Sequence, residues 1–132
     1  MRFLNAVVGL GASMIAAGIV AASAAPASAH HSFAMFDDHK IVTLAGTVTE
    51  FQWTNPHSWV ELLAKDPTTG KDVQWSIECI SPNQLARAGW KRTSLKVGDK
   101  VSADIHPMKD GSIGGALVSV TVNGLTLSNH GI

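Results

Sequence analysis

The stretch DVQWSIECISPNQLARAG, Asp72 to Gly89, contains the change of period on which the fold turns. Val73, Trp75, Ile77 and Cys79 alternate with Gln74, Ser76 and Glu78, giving one dry and one wet face at a repeat of two, the signature of a half-buried strand. At Ser81-Pro82 the pattern breaks into a helix start, a capping hydroxyl followed by proline at the first helical position. Leu85, Ala86 and Ala88 then form an apolar stripe that ends at Gly89, which predicts a short helix.

Two strands are predicted before this stretch and two after it. In Ile41 to Trp53, Val42, Leu44, Gly46 and Val48 share one face and Thr43, Thr47 and Thr49 the other. Gly46 in the middle suggests a bulge or sharp coil. Asn55-Pro56 breaks the pattern, and His57 to Lys65 reads as a second strand with Val60, Leu62 and Ala64 inward and Trp59, Glu61 and Leu63 outward. Asp66 to Gly70 is a turn by its chemistry. Beyond the helix, Val101, Ala103 and Ile105 mark a fourth strand that ends at Pro107. Ala116, Val118, Val120 and Val122 mark a fifth, before Asn123-Gly124 turns the chain into a short Leu125-Thr126-Leu127 segment. The class is mainly β: a small five-stranded Greek-key barrel like the oligonucleotide/oligosaccharide-binding (OB) fold, with one short helix between strands 3 and 4. An open α+β sheet under one helix uses the same elements.

Residues 1–29 differ from the rest. Arg2 is followed by a run rich in Ala and Gly from Ala6 to Ala25 and then by Pro26-Ala27-Ser28-Ala29, the layout of a cleaved signal peptide. An uncleaved membrane anchor is the alternative reading. The expected organisation is a signal peptide at 1–29, a lead segment at 30–40, the barrel at 41–127 and a tail at 128–132. The expected location is periplasmic or secreted, with no stable membrane anchor after cleavage and a monomeric state.

The chain has 132 residues, with ten Lys/Arg against ten Asp/Glu and a single Cys. One Cys can form neither an intrachain disulfide nor a Cys-rich zinc site. The balanced charge lacks a basic footprint for a phosphate backbone, so nucleic acid is set aside as a partner. In an oxidising compartment the lone Cys79 reads as a buried apolar filler.

The sequence resembles a family of small exported bacterial proteins catalogued as domain of unknown function 6152. The likeness rests on His30-His31-Ser32-Phe33, Leu44-x-Gly46-x-Val48, Trp53-Thr54-Asn55-Pro56-His57-x-Trp59, Ser81-Pro82-Asn83, Gly89-Trp90, Leu95-x-x-Gly98-Asp99 and Asp110-Gly111-Ser112. The resemblance implies an exported OB-like barrel and brings no catalytic residues with it. Cys79 does not match the pattern.

Cleavage after Ala29 would leave His30 at the N-terminus, where its α-amine and ring Nδ1 can chelate one ion. Nitrogen donors in a tetragonal arrangement favour Cu(II). Near neutral pH little proton competition opposes that binding. Further nitrogens could come from His31, from His57 at the end of the first interstrand loop, or from His106 before Pro107. A plain reading is also open, since His-His at a frayed terminus needs no metal. Trp53, Asn55, Trp59 and Glu61 form a second candidate surface, suited to a small molecule, a peptide or an envelope protein without any metal. No nucleophile elbow or zinc-protease helix is present, so a noncatalytic binding module is expected. Copper-dependent oxidation is the least strained enzymatic reading.

Overall fold

A computed structural model of the chain describes residues 33–130. The chain divides into Met1–His30 and His31–Ile132, and the described residues all belong to the second unit. After a 3₁₀ turn at Phe33–Met35, the elements are β1 (Val42–Gln52), β2 (Trp59–Lys65), β3 (Asp72–Glu78), α1 (Pro82–Arg87), β4 (Lys100–Pro107), β5 (Gly115–Val122) and β6 (Leu125–Ser128). The sheet order is β3-β2-β1-β4-β5-β6, and a parallel pairing of β3 with β5 closes the first five strands on themselves. That closure excludes the open sheet. Five strands in this order, with the helix between β3 and β4, make an OB-type barrel. β6 is an added hairpin strand on β5, turned by Asn123 and Gly124, whose φ values of 49° and 77° are those a tight hairpin turn needs.

The dry faces meet inside the barrel. Leu44 and Val48 of β1, Val60 and Leu62 of β2, Trp75 and Ile77 of β3, Ala103 and Ile105 of β4, and Val120 of β5 are buried together with Leu85 of α1. α1 forms where the local chemistry predicts it. The Ser81 hydroxyl accepts from the Gln84 N–H while the Gln84 side chain accepts from the Ser81 N–H, a capping box. At the other end Gly89, at φ 92°, lets its N–H donate to Ala86 and the Trp90 N–H donate to Leu85. Trp90 is thereby turned inward, where its indole Nε1 donates to the Ser128 carbonyl at 2.7 Å and ties the helix to the end of β6.

Three details differ from the sequence reading. The bulge of β1 lies between Val48 and Glu50, not at Gly46. Gly46 serves instead as a point of close approach, since a Cβ there would meet the Leu63 carbonyl oxygen and lie 2.8 Å from the Ala64 Cβ. In β5, Asp104↔Ser119 is followed by Ile105↔Leu117, so Val118 is the extra residue of a bulge. Leu117 therefore takes the core position and Val118 is only half buried. The lead segment and the tail also join the barrel. Phe36 is buried and bridges to Met108, and Asn129 is buried with its N–H donating to the Val118 carbonyl.

Candidate functional site

The antiparallel register of β2 with β3 places Trp59 opposite Glu78 and Glu61 opposite Ser76. These four side chains belong to the outer face of the hairpin, the face that period two marks as wet. Two polar pairs flank Trp59 on it. On one side Ser76 Oγ donates to Glu61 Oε1 at 2.7 Å. On the other, the His57 ring donates from Nδ1 to Glu78 Oε1 in a short contact.

The outer face is not wet at its Glu78 end, which corrects the sequence reading. Glu78 is 5% exposed. Its neighbours accompany the burial: the backbone ladder runs on past the strands, with Ser58 N–H donating to the Ile80 carbonyl and Cys79 N–H to that of Ser58, which brings His57 beside Glu78, and Met35, Phe36 and Met108 share a cavity lining with it. A buried carboxyl group needs a partner, and the His57 ring provides one. Period two alone places Glu78 on the wet face. The available signal was the hairpin count, since pairing Lys65 with Asp72 across the turn carries Trp59 to Glu78 and so brings His57 within reach.

His106, in β4, has the same kind of arrangement elsewhere. Its Nδ1 donates to the Lys40 carbonyl at 2.7 Å. It lines a cavity of about 480 Å³ with Phe36, Asp38, Gln84, Asn129 and His130. His57 lines a separate recess of about 160 Å³ with Gln52, Thr54, Asn55, Pro56 and Trp59. The structure thus sets His57 and His106 in different cavities. His30 and His31 lie outside the described residues, as does the 1–29 leader. Among the described residues there is no group of three or more His, Cys, Asp or Glu positioned to hold a metal ion.

The two tryptophans of the loop part company. Trp53 is half buried, packed edge-on against Phe51 at 5.8 Å between ring centroids and resting on the core. Trp59 is half buried on the outer face, between the His57 recess and a cavity of about 230 Å³ that it shares with Met35, Phe36, Glu78, Met108 and Ile113. Asn55 is exposed, in a cis Asn55–Pro56 peptide at the recess. Cys79 is buried in the core, and burial, assisted by the charge of Glu78, pushes its thiol far above the ordinary range. A thiol held in that form is a poor nucleophile.

A model of the family of unknown function DUF6152 matches residues 16–118, which span the described barrel through Val118. The chain belongs to this family. No match is found among the curated proteins. Among solved structures, the DUF6152 chain is similar to the mitochondrial single-stranded DNA binding protein Rim1 from S. cerevisiae. Identity is 13%, the match covers 64% of this chain and 94% of that one, and the TM-score is 0.45. That neighbour is named for binding single-stranded DNA, and the exclusion of nucleic acid drawn from charge balance is withdrawn. Net charge is a sum over the whole chain, whereas single strands are held by local grooves and by stacking on aromatic rings.

Proposed function

We propose that this DUF6152 protein is an exported, noncatalytic binding module that takes Cu(II) through the α-amine and ring of His30, exposed by cleavage after Ala29, together with His57. His31 is an adjacent nitrogen in the same segment.

The observation that carries the reading is the His57–Glu78 pair. Histidines that ligate metals characteristically donate their other ring N–H to a carboxylate or a carbonyl, which fixes the tautomer and makes the ligating nitrogen more basic. With the proton on Nδ1, directed at buried Glu78, the lone pair of the His57 ring is on Nε2. His57 lines the recess with Asn55 and Trp59. His106 is held by the same chemistry at Lys40, but in a different cavity, and is left out of the site. The leader at 1–29 supports export, and an oxidising compartment favours the cupric state. The competing reading, a metal-free module docking a small molecule or peptide on the Trp53 to Trp59 loop, loses one of its two rings because Trp53 packs against Phe51.

The test is a copper titration of the chain that begins at His30, beside the same chain carrying one additional residue ahead of His30. The extended chain keeps every side chain and loses the chelate between amine and ring, so its Cu(II) affinity should fall by about 100-fold or more. Equal affinity of the two forms would refute the amine-centred site, and a chain that takes up no copper would favour the metal-free module.

A further inference from the structure

We infer that the cavity between the N-terminal 3₁₀ turn, the β4–β5 connection and the outer face of β2–β3 is a soft-cation site that takes Cu(I) on the thioethers of Met35 and Met108. Two segments distant in sequence are tied together to form it. Phe36 bridges to Met108, the Lys109 N–H donates to the Met35 carbonyl at 2.9 Å, and the Asp37 N–H donates to that of Pro107 at 2.8 Å. Met35 and Met108 thereby line one cavity together with Trp59 and Glu78.

The cavity's size and chemistry select the ligand. At about 230 Å³ it falls below the ~300 Å³ at which pockets for drug-sized molecules begin, which leaves an ion or a very small cation. Thioether sulfur is a soft donor that selects Cu(I) over hard ions and has no proton to lose on binding. The Trp59 ring, which lines the same cavity, favours a positive ligand over an anionic one. Methionines often only fill gaps in a dry core, but Met35 is 39% exposed, and it lines an open cavity with Met108 outside the core cluster. The site draws on nothing from the α-amine of His30; it shares Trp59 and Glu78 as neighbours with the His57 recess, and its proposed donors, Met35 and Met108, are not among those of the Cu(II) reading.

The experiment uses the full processed chain under anaerobic, reducing conditions, with Cu(I) delivered as its bicinchoninate complex and Trp fluorescence followed in parallel. The wild-type chain should withdraw Cu(I) from bicinchoninate with quenching of Trp59. Met35→Leu combined with Met108→Leu keeps the volume and should retain the thermal unfolding transition, because such swaps typically cost less than ~1.5 kcal/mol. That double variant should bind Cu(I) on the order of 100-fold more weakly, at least what loss of a ligand's supporting partner costs. Its Cu(II) affinity should be unchanged, and the N-terminally extended chain should bind Cu(I) as the wild type does. The inference is overturned if the double variant holds Cu(I) as tightly as wild type, or if wild type withdraws none. It is overturned equally if tetramethylammonium quenches Trp59 and Cu(I) does not displace it. Met35→Leu alone, at the more exposed position, gives the same reading in reduced size should the double variant unfold.

Discussion

Replacing His57 with alanine is expected to lower the unfolding free energy by about 3 kcal/mol, the low end of what breaking a buried pair costs. The asymmetry of burial makes this the costly member to remove. The Glu78 side chain is 6% exposed and would be left in place without its ring partner, whereas the His57 side chain is 28% exposed and within reach of water. Glu78→Gln leaves the shape and one accepting oxygen, so it should cost closer to ~1 kcal/mol. On copper the order changes. His57→Ala removes a proposed donor, while Glu78→Gln weakens its support and should reduce Cu(II) affinity by roughly 10–100-fold with little change in fold. Urea denaturation and copper titration of the two variants separate these effects. Equal stability losses, or a Gln variant with wild-type copper affinity, would contradict the pairing argument.

The second large effect concerns the strands that carry the site. Gly46 pairs with Ala64 of β2 and with Val101 of β4, where β1 runs between the two halves of the barrel. Gly115 likewise pairs with Ile77 of β3 and with Pro107 of β4 at the closure. A Cβ at Gly46 would meet the Leu63 carbonyl oxygen, and one at Gly115 would lie 2.6 Å from that of His106. Both obstacles are backbone atoms and cannot rotate away. Gly46→Ala and Gly115→Ala should each cost about 3 kcal/mol, the upper end for overpacking a well-filled interior. Gly111→Ala is the control. Its φ of 78° carries a left-handed cost of ~1–2 kcal/mol, but nothing lies within 4 Å of the added atom. Thermal unfolding that ranks Gly111→Ala as the most damaging of the three would contradict the close-approach account.

Much of this architecture is legible from side-chain period alone. Alternation at Val60, Leu62 and Ala64 and at Trp75 and Ile77 reports which face is dry, and Ser81-Pro82 reports where the helix begins, because those signals are local. What escaped depends on pairing. The bulges at Thr49 and Val118 arise from the register each strand takes against its neighbour, and a shift of one residue there exchanges Leu117 for Val118 in the core. The burial of Glu78 escaped for a related reason. Period two assigns it to the outer face correctly, but its partners there come from elsewhere: His57 from across the hairpin, and Met35, Phe36 and Met108 from the N-terminal and β4–β5 segments. The N-terminal segment was harder still, since neither Phe36 nor Met35 has a periodic pattern to reveal that it would pack beside Met108.

The central claim is that buried Glu78 holds the His57 ring with its proton on Nδ1 and presents Nε2 to copper. Nitrogen-15 NMR of ring-labelled histidine in the processed chain tests it most directly. The account predicts a His57 ring protonated at Nδ1, with its Nε2 signal broadened beyond detection by less than one equivalent of Cu(II). A ring protonated at Nε2 in the neutral form, or a His57 signal that survives a full equivalent of copper, would contradict it.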